Sequence, residues 1–224
     1  MGVIMNESFY CSLNSDLLEY RKYFNRGQLI NIPDYIFQDA KYLPLREYAL
    51  FHMGFSVVTL DNCKVLKELI KGGRVLEIMC GLGAYSYALR KLGCQVIATD
   101  DMSWMADNAC KYLDWKTNTW IDDTESIDAV GAIKKYGANV DFILMSWPPQ
   151  NEDFALNALL TMREENPNCR MIYIGEEKKG CTADDAFFDA LVDVSDDYDC
   201  ISRLRETYHC WISDSYYDKQ FIIR

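Results

Sequence analysis

From residue 73 onward the chain alternates short apolar runs with amphipathic stretches, and this alternation limits the available folds more than any other feature. "RVLEIMC" (74–80), "CQVIATD" (94–100), "VDFILMS" (140–146) and "CRMIYIG" (169–175) have the length and apolar density of buried strands. Between them lie helix-like segments, "AYSYALRKLG", "DDMSWMADNACKYLDWK" and "SIDAVGAIKKYG", and after the last comes "TADDAFFDALVDV" with Thr182 at its expected N-cap. A weak third strand is expected near 117–121 or slightly later, before the "SIDAVG" helix. Strands alternating with helices predict right-handed βαβ units and a parallel sheet. The end, "TYHCWISDSYYDKQFIIR", reads as two strands joined by a polar turn. The expectation is a doubly wound α/β fold with a mostly parallel seven-stranded sheet and a terminal antiparallel hairpin. Residues 1–72 read differently, with helical spacing in "NSDLLEYRKYFNRG" and "TLDNCKVLKELIKGG" and loops at Pro33 and Pro44. They predict a helical N-terminal cap on a core of residues 73–224. Their aromatics, among them Phe9, Tyr10, Phe24 and Phe37, serve either as a lid or as packing, and packing is the commoner fate.

The stretch "VLEIMCGLGAYSYAL" (75–89) carries the chemistry. Its strand delivers Glu77 near the carboxyl end, Gly81 and Gly83 allow a tight turn and close backbone approach to a ligand, and a helix follows at once. The next strand ends in Asp100, placed to accept hydrogen bonds from both ribose hydroxyls of a nucleoside. A dinucleotide fingerprint would require a third glycine where this chain has Ser86, which disfavours an NAD-dependent enzyme.

The acid four residues before Gly81, the two glycines, the ribose acid and the terminal hairpin together resemble the class I S-adenosylmethionine-dependent methyltransferase family. Its first motif is commonly (E/D)-x-G-x-G-x-G, and the resemblance covers roughly residues 73–224, with Met79-Cys80 where a glycine and its neighbour often sit. The resemblance implies a transferase with S-adenosyl-L-methionine as its cofactor. It places Glu77 near the cofactor's methionine amino group. Cys80, Gly81 and Gly83 would line the loop, Asp100 would hold the ribose, and Asp101 or Met102 would lie beside the adenine. The adenine-binding acid after the third strand is matched to Asp128-Ala129, with Asp122 and Asp123 competing and helix capping an equal reading of Asp128. Phe55 or Ser56 is expected at the cofactor rim.

The fourth strand runs into "SWPPQ" (146–150), where two prolines set two φ angles and remove two donors. In this family the position faces the transferable methyl group, and adenine and glutamine N-methyltransferases place (D/N)-P-P-(Y/F) there. Trp147 stands in the acceptor's place, and an indole only donates, which weakens the adenine-amine reading. Ser146, Trp147 and Pro148 are the expected catalytic corner, against the alternative of a rigid loop around a packed tryptophan. Glu176 reads equally as an acceptor contact or a surface acid.

A net charge of −11 gives no indication of a nucleic-acid partner, although one stays open as an alternative. Nine scattered cysteines without a CxxC pair, and two histidines, form neither a disulfide framework nor a metal signature. The first residues match neither a signal peptide nor a myristoylation site, and no apolar run reaches membrane-spanning length. These features predict a cytoplasmic enzyme without a membrane partner. The expected acceptor is a small molecule, with nucleobase or protein acceptors second and a non-catalytic S-adenosylmethionine-binding protein as the alternative of another class.

Overall fold

The computed structural model describes residues 15–105, 118–211 and 217–224. Six strands form one sheet in the order β3-β2-β1-β4-β5-β6. They are β1 (Arg74–Ile78), β2 (Gln95–Asp100), β3 (Glu125–Ser126), β4 (Phe142–Ser146), β5 (Arg170–Gly175) and β6 (Lys219–Ile223). β1 lies parallel between β2 and β4, with Glu77 opposite Ala98 on one side and Leu144 on the other. β6 runs antiparallel to β5, pairing Tyr173 with Phe221. The helices in chain order are α1 (Tyr35–Gln38), α2 (Leu45–Met53), α3 (Leu60–Ile70), α4 (Ala84–Lys91), α5 (Ala129–Tyr136), α6 (Phe154–Glu165), α7 (Asp185–Ala190) and α8 (Ile201–Thr207).

The period-two alternation of each strand separates two cores. Val75, Leu144, Ile172 and Ile174 face one cluster, which holds Leu66 and Leu69 of α3, Leu89 of α4 and Leu204 of α8. Leu76, Ile78, Ile143, Met145 and Met171 face the other, with Ile133 of α5, Leu159 of α6 and Phe187 of α7. Helices therefore cover both faces, as βαβ connections require. Glu77 shares Val75's parity and so meets α4, a placement that matters below.

Several expectations are corrected. The sheet has six strands among the described residues, not seven. Tyr208–Trp211 forms no strand, so β6 joins β5 without the hairpin's other arm, while the expected turn at 212–216 lies outside the described residues. The third strand is the two-residue β3, later than 117–121. The helix expected over 100–116 falls mostly outside the described residues, and within its described start lies a 3-10 turn at Ser103–Met105. Asp184, not Thr182, caps α7 by accepting from the Phe187 N–H at 2.9 Å. The Thr182 hydroxyl is instead held by the Tyr173 hydroxyl at 2.6 Å and receives the Glu176 N–H at 2.9 Å. Before β1 the chain forms a 3-10 helix, Ser15–Phe24, then α1 to α3. Two of its aromatics pack into the core. Phe24 and Phe37 are buried in the same cluster as the sheet, Phe24 stacking on Trp211 at 5.6 Å, while Phe9 and Tyr10 lie outside the described residues.

Candidate active site

In open α/β sheets ligands sit beyond the carboxyl ends of the strands where chain order reverses. Here that point lies between β1 and β4, and a cleft of ≈ 510 Å³ opens there. The strand ends and following loops bring Glu77, Cys80, Gly81, Asp100, Asp101, Asp128, Ala129, Ser146 and Trp147 to its walls. The volume suits a nucleoside-sized ligand.

The loop after β1 is shaped by three successive left-handed residues in alternate positions, Met79 (φ 51), Gly81 (φ 53) and Gly83 (φ 74). A side chain in that region costs roughly 1–2 kcal/mol, and Met79 bears it at the place where the family pattern often has glycine. Gly81 lines the cleft and has open space where a Cβ would stand, so its backbone forms part of the wall. Gly83 plays another part. It does not line the cleft but caps α4, and a Cβ there would lie 2.5 Å from Ile121 Cγ1. Gly83→Ala is therefore expected to destabilise the protein by about 2–3 kcal/mol, combining left-handed strain with overpacking, as measured by urea unfolding. A loss below about 0.5 kcal/mol would contradict this account of the turn.

Glu77 is 2% exposed and receives the Ser86 hydroxyl from α4. Burial pushes its carboxyl up to about 7, with Ser86 pulling it back in part. Ser86, the residue that spoiled the dinucleotide fingerprint, is thus the partner that orients this acid. Asp100 is held from three sides. Its Oδ2 accepts from the Gly81 N–H at 2.8 Å, and its Oδ1 accepts from the Met102 N–H at 2.8 Å and the Trp104 indole N–H at 3.0 Å. Burial raises its carboxyl above the ordinary range, and the Gly81 and Met102 N–H groups oppose the shift. The two acids thus stand on neighbouring strands on either side of one backbone turn. Cys80 is pushed up strongly by burial, so its thiol is a small wall residue and not a nucleophile. Asp128 both lines the cleft and caps α5 through the Gly131 N–H at 2.7 Å, while its competitor Asp123 is committed to Arg90 at 2.6 Å.

The corner after β4 is built from distant parts of the chain. Trp147 takes a left-handed φ of 52, its N–H bonds the Ile174 carbonyl at 2.8 Å, and its ring stacks on Phe55 at 5.2 Å. The indole N–H points to Asp218 Oδ2 at 2.8 Å, so the donor is spent inward on a protein carboxylate. Ser146 meets Ser56 across the cleft, Oγ to Oγ, at 2.6 Å. Pro148 is buried and turns its carbonyl to the Ala183 N–H at 3.2 Å, so that oxygen is not free for a ligand, and Pro149 lines the cleft in its place. Gln150 donates to the Gly180 carbonyl at 2.6 Å. Glu176 is buried, receiving the Cys181 and Tyr217 N–H groups, which makes it a loop anchor.

No protein-family model matches the chain, and no curated protein matches it. Among solved structures it is similar to a SAM-dependent methyltransferase from Agrobacterium tumefaciens, with 11% identity over 72% of this chain and 58% of that one, at a TM-score of 0.36. It is also similar to TehB from Haemophilus influenzae, with 12% identity over 80% and 65% of the two chains at 0.39. Human N-acetylserotonin methyltransferase in complex with SAM gives 11% identity over 93% and 65% at 0.42. At such identities the sheet itself has to decide. Five parallel strands in the order 3-2-1-4-5, closed by an antiparallel edge strand beside β5, distinguish it from an all-parallel dinucleotide sheet. The chain has a doubly wound α/β sheet with an antiparallel edge strand, the arrangement that its resemblance to the class I methyltransferases implies.

Within that fold the cleft residues fit S-adenosylmethionine. Glu77, whose ionised form is disfavoured by burial while it lacks a counter-charge, would be drawn into the carboxylate form by an ammonium group, and Asp100 keeps acceptor capacity beyond its three protein donors. Gly81 leaves the loop bare where a ligand would approach. The cleft also recruits residues that sequence reasoning did not single out. Met53, Trp104, Asp153 and Asn157 reach it, as does Phe154, which is 45% exposed at its rim. Tyr85 was visible only as part of a helix, yet it lines the cleft and its hydroxyl is buried. In the sequence only the acidic run "NEDF" (151–154) after the prolines hints at Asp153, Phe154 and Asn157.

Proposed function

We propose that the protein is an S-adenosylmethionine-dependent methyltransferase acting on a small molecule. The observation that carries the reading is the pair Glu77 and Asp100, set on adjacent strand ends around the left-handed 79–83 turn and opening into one cleft with the Ser146-Trp147 corner. Glu77 would receive the methionine ammonium, Asp100 the ribose hydroxyls, and Asp128 with Ala129 the adenine edge. When bound, the cofactor supplies an electrophilic methyl group on a sulfonium. The chain's own part is to orient and to exclude water, and little further assistance is needed for such a transfer. Ser146 presents a hydroxyl from the end of β4. Phe55, 44% exposed, and Phe154 offer flat apolar surface at the mouth, which suits an acceptor with a planar apolar part.

Calorimetry separates this reading from its alternatives. S-adenosylmethionine and S-adenosylhomocysteine are expected to bind with Kd on the order of 1–100 μM, and NAD at least about a hundredfold more weakly. If neither sulfur nucleoside binds, the proposal fails. Binding of both, with no methyl transfer to any acceptor in a fractionated cell extract, would favour a non-catalytic cofactor-binding protein.

A further inference from the structure

Two neighbouring contacts tie the segment after α2 to the end of β4. The Phe55 ring stacks on Trp147 at 5.2 Å, and one residue further on the Ser56 and Ser146 hydroxyls meet Oγ to Oγ at 2.6 Å. All four residues line the cleft, and Ser56 is 6% exposed. A polar pair therefore stands beside two flat apolar side chains. A hydroxyl has one proton to donate and two lone pairs that accept. One proton is spent between the two oxygens, either of which can be its donor, and lone pairs remain on both. When Ser146 donates to Ser56, both Ser146 lone pairs are open to an N–H or O–H of a ligand. When Ser56 donates instead, Ser146 keeps its own O–H for the cleft.

The walls around this pair carry one sign of charge. Glu77, Asp100, Asp101, Asp128 and Asp153 line the cleft, and among the described residues no lysine, arginine or histidine does. Such a site favours positive charge on a bound molecule over negative. We propose that the acceptor is a flat, uncharged primary or secondary amine, and that Ser146, held by Ser56, receives one N–H so that the nitrogen lone pair faces the transferable methyl group. This rests on the methyl-transfer reading. The nitrogen lone pair bonds the methyl carbon as the carbon–sulfur bond breaks, and that bond's electron pair stays on sulfur, leaving a neutral thioether. Positive charge thus moves from sulfur to nitrogen, and no proton is transferred in the step. The product ammonium loses its surplus proton to water after release. Ser146 touches the acceptor, whereas Ser56 acts through Ser146 and is a positioning residue.

The pair reads the N–H and not the nitrogen alone. A pyridine-type nitrogen has a lone pair and no proton, so Ser146 can meet it only by donating its own O–H to the electron pair that has to attack. That contact protects the nitrogen from methylation. The preference runs against intrinsic reactivity, because in a free aminopyridine the ring nitrogen is the stronger nucleophile. A hydroxyl acceptor also has a proton for Ser146, but its methylated oxygen is a strong acid that must shed the proton within the step, and neither serine is a base for it.

The probe 3-aminopyridine carries both kinds of nitrogen on one flat ring, so its two methylated products compare them within a single molecule. With labelled S-adenosylmethionine at about pH 8, where both nitrogens are uncharged, the wild type is expected to methylate mainly the exocyclic amine. Ser146→Ala is expected to shift the product ratio at least about tenfold towards the ring nitrogen, and Ser56→Ala to shift it less in the same direction. A pair that only braced the fold would alter the total rate and leave the ratio alone. An unchanged ratio, or ring methylation by the wild type, therefore overturns the proposal. If neither nitrogen is methylated, binding decides. Aniline and toluene share a shape but only aniline has an N–H, and calorimetry on the protein saturated with S-adenosylhomocysteine measures both. Their affinity ratio is expected to fall at least about fivefold in Ser146→Ala, and an unchanged ratio overturns the proposal. Absence of S-adenosylmethionine and S-adenosylhomocysteine binding would instead defeat the methyl-transfer reading itself.

Discussion

Asp100→Ala is expected to weaken S-adenosylmethionine binding at least about a hundredfold, equivalent to roughly 2.7 kcal/mol. Two losses combine. The ribose hydroxyls would lose the acceptor proposed for them, and the cleft loses its internal brace, because Asp100 ties the Gly81 N–H to the Met102 N–H and the Trp104 indole. Each donor stranded in a part-buried site costs about 1–3 kcal/mol, and Gly81 is a residue whose backbone forms part of the cleft wall. Calorimetry on the variant, with far-UV circular dichroism to confirm folding, measures the effect. Wild-type affinity in the folded variant would remove Asp100 from the ribose site.

The second large effect concerns the buried acid of β1. Glu77 is raised from its ordinary 4.5 to about 7, chiefly by burial. A carboxyl raised on folding binds its proton more tightly in the folded state, so its contribution is fully present below about pH 4.5. It is lost as pH rises to about 7, a decline on the order of 3 kcal/mol. The ligand-free protein is thus expected to lose stability across that window, and Glu77→Gln to remove the Glu77 share, including the part of the decline that falls between about pH 6 and 7, while being the more stable protein at about pH 8. Asp218, raised in the same sense from 3.8 to about 6, leaves a decline of comparable size below about pH 6 in both proteins. Chemical denaturation between pH 4 and 8 distinguishes the two, and parallel curves for wild type and Glu77→Gln would refute the assignment. The same substitution should weaken S-adenosylmethionine, because an amide cannot neutralise an ammonium. An acid that costs stability when ligand-free and is matched by a cation when bound marks a binding group.

Both predictions start from residues that were legible in the sequence. Glu77, Gly81, Gly83 and Asp100 belong to strand-turn-helix and strand-end chemistry, governed by neighbours a few positions apart, so local pattern located them. Ser86 was legible as a departure from a fingerprint, but its purpose emerged only when α4 packed on the Val75–Glu77 face and put its hydroxyl on Glu77. The corner was legible as rigid, yet its meaning was not. Trp147 is oriented by Asp218, 71 residues later, and Ser146 meets Ser56, 90 residues earlier. Nothing in the local text of either segment announces the other. The missing strand has a similar cause: Tyr208–Trp211 has strand-like composition, but Tyr208 and Trp211 are drawn into side-chain contacts with Asp218 and Phe24.

The sequence by itself determined the βαβ alternation, the glycine turn and the two acids at the ends of β1 and β2, because hydrophobic period and backbone permissiveness act over short range. Only the tertiary structure decided which polar groups share a hydrogen bond across the sheet, which carbonyls stay open to a ligand and which carboxylates are buried enough to hold a proton. Those properties depend on desolvation and through-space distance, and both are set by the packing of segments far apart in the chain.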